Sequence, residues 1–347
     1  MKKKLANTLS ILLCANILGT FTACNIAGQP TDQPTEILTT TEAPAEPKIV
    51  LLEIAKQPDK LVYAPGEQFD PTGLVVNAVL DDGSVIKNVK YTADTTALRY
   101  YSKSASVTYK GKTLYVPIEI YLAGNEDEYD VKHVKTLEDS PLADMTYYFL
   151  GSSVTYGEGA EGQSMADFLA KKHGCTVIKN AVSGTTLRVQ GKNSYLTRLQ
   201  KDISEGKMPA RLDAFICQLS TNDKTQPEKH GTVTANDVRD IDAFNTETTF
   251  GAIETIITIV RSMYDCPVVF YTNSYFKDAN YQKLVEGLDL IQKKYDIQVL
   301  DLYRDEAFNQ ISKEDYALYM RDDIHPMKVG YRDWWLPAFE NFLISLK

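Results

Sequence analysis

The chain has 347 residues, a formal net charge of −9, 44% hydrophobic residues and 24% charged ones. That length allows about two domains with substantial cores, and the composition is that of an ordinary globular protein. The acidic balance, with no basic cluster beyond Lys2, Lys3 and Lys4, argues against a nucleic-acid partner.

Those lysines open an ordered series of features. Residues 5–21 are largely apolar, but too short and interrupted for a comfortable membrane-spanning helix, and small residues follow before Cys24. The pattern predicts an export signal over residues 1–23. Phe21-Thr22-Ala23-Cys24 resembles the lipobox of bacterial lipoproteins, with Phe21 where that family usually has leucine. The resemblance implies a membrane-anchored lipoprotein on the bacterial surface, lipidated at Cys24; plain secretion is the alternative. Residues 24–48 are rich in Thr and Pro and poor in large apolar side chains, which predicts an extended tether. Cys14 would leave with the signal. Cys175, Cys217 and Cys266 remain, an odd number without metal-ligand spacing, so neither a disulfide framework nor a metal site is expected.

Over residues 49–122 the pattern turns to short β runs at 51–54, 61–63, 73–80, 85–91, 104–109 and 113–121. Ala64-Pro65-Gly66, Asp81-Asp82-Gly83 and Lys110-Gly111-Lys112 supply tight turns between them. A small β-sandwich is predicted. Tyr63, Gly66, Glu67, Phe69, Asp70, Gly73, Leu74 and Val76, followed by Asp82-Gly83-Ser84, resemble the bacterial immunoglobulin-like (Ig-like) domains of surface proteins. That resemblance implies a spacer or a weak glycan-binding module without catalytic residues, the spacer being favoured.

Residues 123–143 form an acidic connector. From 144 to 347 strands alternate with helices: strands at 146–150, 176–179, 213–219, 267–272 and 297–302, helices at 164–173, 194–205, 250–264 and 280–295, and a last helix from 328. Phe250, Ile253, Ile256, Ile257, Val260 and Met263 recur at helical spacing and read as core. The order predicts an α/β domain with a mostly parallel sheet covered by helices on both faces.

Polar residues with catalytic chemistry cluster at the predicted carboxyl ends of these strands. After 146–150 come Gly151-Ser152-Ser153, where a hydroxyl is delivered to the sheet edge. After 176–179 comes a loop with Gly184, and after 213–219 comes Ser220-Thr221-Asn222-Asp223. Near the C-terminus, Asp322-Asp323-Ile324-His325 offers a base with a carboxylate three residues earlier. Each feature alone is ordinary, since serines cap helices, glycines make turns, and Asn and Asp cap or turn the chain. All four at one sheet edge are harder to dismiss.

Gly151-Ser152-Ser153-Val154-Thr155-Tyr156-Gly157, Gly184, Asn222 and Asp322-x-x-His325 resemble the four blocks of the SGNH (GDSL-type) hydrolases. The resemblance implies a three-layer α/β/α flavodoxin-like fold and ester hydrolysis through an acyl-serine. Ser153 would be the nucleophile, His325 the base and later acid, and Asp322 the orienting carboxylate. The N–H groups of Ser153 and Gly184 and the Asn222 side chain would form the oxyanion hole, with no cofactor or metal. Two departures stand out. Ser152 replaces the family's aspartate and is a rival nucleophile, and Ser220 replaces a glycine, its Cβ tightening the pocket. Asp323 is the rival orienter. His133, His173 and His230 lack a carboxylate at useful spacing and are expected at the surface or in loops, His230 at the pocket rim.

An exported, tethered site near surface or environmental polymers favours carbohydrate O-deacetylation. A broad short-chain esterase, lysophospholipase or thioesterase would use the same residues. A surface glycan-binding lipoprotein that has lost activity is the alternative of a different class.

Overall fold

Alternating small and apolar residues build the first strands. In β3 (Val75–Leu80) Val76 and Ala78 point inward, and in β6 (Ser104–Tyr109) Ala105 and Val107 do so, while their neighbours face outward. The computed structural model describes residues 46–347; the export signal, Cys24 and nearly all of the predicted tether lie outside the described residues. β1 (Ile49–Lys56) pairs antiparallel with β3, and β3 with β4 (Val85–Ile86). A second antiparallel sheet runs in the order β5 (Thr92–Ala93), β6, β7 (Lys112–Pro117), and β2 (Val62–Tyr63) pairs with β8 (Glu119–Ile120) in parallel. Both larger sheets contribute to one core around Tyr63, Phe69, Val76, Val107 and Val116. Lys110 and Gly111 join β6 to β7 with φ of 44° and 77°, the two-residue turn whose twist matches a hairpin. The predicted run 85–91 stops at Ile86, and Asn88 turns the chain with φ of 51°.

The second half contains one five-stranded sheet, ordered β10 (Thr176–Ala181), β9 (Thr146–Gly151), β11 (Ala214–Gln218), β12 (Val268–Tyr271) and β13 (Gln298–Leu300), with every pairing parallel. Alternation divides its side chains. Tyr148, Leu150, Phe215, Cys217 and Phe270 pack under α3 (Tyr195–Ser204), α4 (Thr249–Met263) and α5 (Ala279–Tyr295). Tyr147, Phe149, Ile216, Val269 and Tyr271 pack under α2 (Met165–His173) and α8 (Leu336–Ser345). The result is a three-layer α/β/α fold whose strand order changes direction between β9 and β11, where doubly wound sheets open a crevice beyond their strand ends. α1 (Ser153–Tyr156), α6 (Glu306–Asn309) and α7 (Lys313–Tyr319) are short, and the last two were not foreseen. The last helix begins as a π-helical stretch, Gly330–Trp335, rather than as the regular helix expected from 328. Pro337 has no N–H to donate back to residue 333, and a widened turn relieves the clash of its ring.

The α4–α5 interface carries a fully buried ion pair. Lys294 Nζ lies 2.7 Å from Glu254 Oε1 and donates to Thr234 Oγ1 at 2.5 Å, and Tyr295 OH donates to the same carboxylate at 3.0 Å. Removing one partner strands a charge in the interior. Lys294→Met is therefore expected to cost about 3–5 kcal/mol in urea unfolding, far more than its loss of packing would.

Candidate active site

The turn after β9 requires a glycine for steric reasons. A Cβ on Gly151 would fall 1.6 Å from Thr155 Oγ1, so no larger residue admits the strand-to-helix transition. The chain then passes through Ser152 into α1, which begins at Ser153. The first N–H groups of a helix have no intrahelical acceptor, so Ser153 presents both its hydroxyl and its N–H at the sheet edge.

His325 reaches that hydroxyl from the far end of the chain, with Nε2 2.7 Å from Ser153 Oγ. Its Nδ1 lies 2.8 Å and 3.0 Å from the two oxygens of Asp322. An ionised carboxylate only accepts, so Nδ1 carries the proton and Nε2 of the neutral ring accepts from the serine. Asp322 is itself held by the N–H groups of Ile324 (2.9 Å) and His325 (3.0 Å). The loop closes on its own backbone, with Arg321 N donating to His325 O at 2.9 Å and Met327 N to Tyr319 O at 2.7 Å. Burial opposes ionisation of Asp322. The hydrogen bond and charge of His325, the Ile324 N–H and the Arg321 charge outweigh it, and the carboxyl is held down at about 2. Asp323 is exposed and makes no hydrogen bond to His325, so among the described residues Asp322 alone orients the ring.

Gly184 follows β10 with φ of 76°, is exposed, and its N–H has no partner among the described residues. Asn222 Nδ2 donates one hydrogen to Thr185 O at 2.8 Å, which leaves its second amide hydrogen free for an oxyanion. Ser220 has a constructive place here. Its buried hydroxyl accepts from Asn222 N at 3.1 Å and donates to Thr185 O at 3.3 Å, tying two of the loops together. Asp223, fully buried, accepts from Leu187 N and Thr249 Oγ1, each at 2.8 Å; burial raises its carboxyl above the usual range. Ser152 points the other way, its fully buried Oγ donating to Gln218 Oε1 at 3.3 Å. It is not placed to compete with Ser153.

Sequence reasoning missed three residues that hold this arrangement. Gln218 ends β11 and accepts from Ser152 N at 2.9 Å and Thr155 Oγ1 at 2.8 Å. Its signal was a lone amide in an otherwise apolar strand. Buried Arg198 donates to Gly151 O and Asn180 O, each at 2.7 Å. It sits three residues after Tyr195 on the inward face of α3, which is legible only once that face is known. The third, Arg321, donates to Asp322 Oδ2 at 3.2 Å and Glu158 O at 2.7 Å.

Of the remaining histidines, expected at the surface or in loops without a carboxylate at useful spacing, His133 is at the surface, but two of the three meet a carboxylate and two are buried. Exposed His133 meets Asp127 Oδ2 at 3.0 Å. Buried His173 bridges Ser140 Oγ (2.5 Å) and Glu340 Oε1 (2.7 Å), a partner far away in sequence. His230 is buried rather than on a rim, and burial lowers its pKa.

A serine, an imidazole and a carboxylate in hydrogen-bonded series, facing free N–H and amide donors at the crevice of a parallel sheet, define a serine hydrolase site. Residues 149–332, just over half of the chain, match the GDSL-like Lipase/Acylhydrolase family, and the chain belongs to that family as a serine hydrolase of the SGNH type. No curated protein matches the sequence. Similar solved structures include a protein from Lactobacillus plantarum, 19% identical, covering 58% of this chain and 98% of its own, with a TM-score of 0.47. An acetylxylan esterase mutant from Geobacillus stearothermophilus is 12% identical over 60% of this chain and 96% of its own, with a TM-score of 0.41. An aryl esterase from M. smegmatis is 14% identical over 58% of this chain and 100% of its own, with a TM-score of 0.39.

Ser153→Ala and His325→Ala are expected to lower kcat on p-nitrophenyl acetate by at least about 10⁴-fold, and Asp322→Asn by about 10⁴-fold. Asn222→Ala should cost about 10²–10³-fold. Ser152→Ala should keep kcat and lose about 1 kcal/mol of stability. Because folding depresses the Asp322 pKa, its contribution to stability is full above the ordinary carboxylate range and is lost as pH falls through about 2. In acid unfolding followed by circular dichroism, the wild type should therefore lose more stability between about pH 4 and pH 2 than Asp322→Asn.

Proposed function

We propose that the protein is a carbohydrate O-deacetylase working outside the cell, held to the membrane by lipid on Cys24. The observation that carries the substrate class is the polar, open surround of the triad. Ser183, Gly184 and Glu158 are exposed in the loops that follow β10 and α1, with Ser183 Oγ donating to Glu158 Oε2 at 2.6 Å. Such a rim can exchange hydrogen bonds with a hydroxyl-rich alcohol, whereas an acyl chain of any length would need an apolar channel.

In this mechanism Ser153 Oγ attacks the acetyl carbonyl while His325 Nε2 takes its proton. Asp322 stabilises the imidazolium, and the N–H groups of Ser153 and Gly184 with Asn222 Nδ2 hold the oxyanion. Collapse breaks the bond to the sugar oxygen, which receives the proton from His325. Water, deprotonated by the same ring, then releases acetate and restores the serine.

The test compares acetate release from acetylated xylan with hydrolysis of p-nitrophenyl acetate, butyrate and octanoate. We expect acetate release from the polysaccharide, and kcat/KM falling about tenfold or more from acetyl to butyryl as methylenes are excluded. A preference for octanoate, or inertness toward acetylated xylan and acetylated envelope glycans alike, would overturn the reading. Membrane association of the full chain that is lost in Cys24→Ser tests the anchor.

A further inference from the structure

Residues 49–122 were expected to act as a spacer, yet they and the connector touch the catalytic machinery. Connector residue Asn125 donates through Nδ2 to Gly159 O at 2.8 Å and accepts at Oδ1 from Lys328 N at 3.0 Å. The Gly159 loop itself lies against the histidine loop, since a Cβ there would come within 2.4 Å of Pro326 O and 3.0 Å of His325 O. From the β module, the ring of Tyr100 lies over the Arg321 guanidinium, 4.2 Å from centroid to carbon. Tyr101 backs that ring edge-on at 5.0 Å. A cavity of about 290 Å³ lies alongside, walled by Pro65 and Tyr121 of the module and by Tyr316, Arg321 and Asp322.

The chemistry at Asp322 gives this contact a role. Oδ1 already accepts from the N–H groups of Ile324 and His325 and from His325 Nδ1. Oδ2 meets the same Nδ1 at 3.0 Å and accepts from Arg321 Nε at 3.2 Å, so among the described residues the guanidinium is its one partner outside the histidine ring. The same guanidinium donates through Nη1 to Glu158 O, two residues past α1. Its planar fork thus links the carboxylate to the segment that follows the nucleophile helix. An arginine without a lid would exchange among many rotamers; an aromatic face laid on a largely desolvated guanidinium holds one.

We propose that the β module is a working part of the hydrolase, in which Tyr100 is a positioning residue that clamps Arg321 against Asp322 and so orients the carboxylate that holds His325. The inference concerns the triad itself and is independent of which ester is the substrate.

The experiment is steady-state hydrolysis of p-nitrophenyl acetate, with the rate of fluorophosphonate labelling and the Tm, for Tyr100→Leu, Tyr100→Phe, Arg321→Lys and the Leu/Lys double variant. Tyr100→Leu is expected to lower kcat and the labelling rate by about three- to tenfold, the range of a partly desolvated cation–π contact, with KM within about twofold. Tyr100→Phe, which keeps the ring face, should restore both rates. Arg321→Lys should lower kcat at least as far, because it keeps the charge and loses the fork. The double variant should be no worse than Arg321→Lys, since both changes cut one connection. Additive losses, equal damage from Tyr100→Phe and Tyr100→Leu, or wild-type kcat in either Tyr100→Leu or Arg321→Lys would overturn the proposal. Arg321→Lys leaves the module's own core untouched, so the non-additivity of the pair, with every rate measured well below the lowest Tm, decides the matter even if Tyr100→Leu lowers the Tm.

Discussion

A carbonyl oxygen buried among apolar side chains must be satisfied, and Oε1 of Gln218 is satisfied entirely by the turn that carries the nucleophile. Ser152 N, Ser152 Oγ, Thr155 N and Thr155 Oγ1 all converge on it. Thr155 Oγ1 also meets Tyr271 OH at 2.5 Å, which extends the network to the next strand. Movement of the turn would strip several donors from one acceptor in a low-dielectric region, so the turn is held by cost as much as by attraction. Arg198 does the same for the buried end of β9 and the half-buried end of β10, covering the carbonyls of Gly151 and Asn180. Ser153 has a defined position because these two side chains leave its neighbours no other.

That constraint explains why two departures from the family pattern are accommodated. The hydroxyl of Ser152 is folded into the Gln218 network, and that of Ser220 is spent on Asn222 N and Thr185 O. In both places an added or altered side chain is bonded to the scaffold and turned away from the reacting serine. A polar group substituted next to an active site is harmless when a partner is already placed for it, and costly when none is.

Much of this was legible in the sequence, for identifiable reasons. The strands and long helices of the second half announced themselves because burial imposes a period of two or of 3.6, and Phe250 to Val260 do form the inner face of α4, although Met263, expected in the same stripe, is exposed at the end of the helix. Ser153, Gly184 and Asn222 stood out because they follow predicted strands at one edge of a parallel sheet, whereas Asp322 and His325, which follow α7 and no strand, stood out by their spacing, and the roles of all five came from the resemblance to the SGNH hydrolases. The long-range partners were illegible. Nothing local ties Gln218 to Thr155, Arg198 to Gly151, or His173 to Glu340, which lies 167 residues away. The split of the 85–91 run and the π-helical turn at Gly330–Trp335 depend on single residues, Asn88 and Pro337, whose effects a periodicity averages away. The β module read as a spacer for a similar reason, since the Tyr100–Arg321 contact has no signature in either segment alone.

The serine–histidine hydrogen bond joins residues 172 positions apart. A ribosome that has made the sheet as far as β13 has still not made His325, so every strand can be in place while the chain remains chemically inert. A product truncated between residues 153 and 325 carries the serine without its base. Hydrolytic activity therefore reports synthesis past His325 as well as folding, and a newly made chain cannot act on the esters of the compartment in which it is synthesised until the histidine loop has docked.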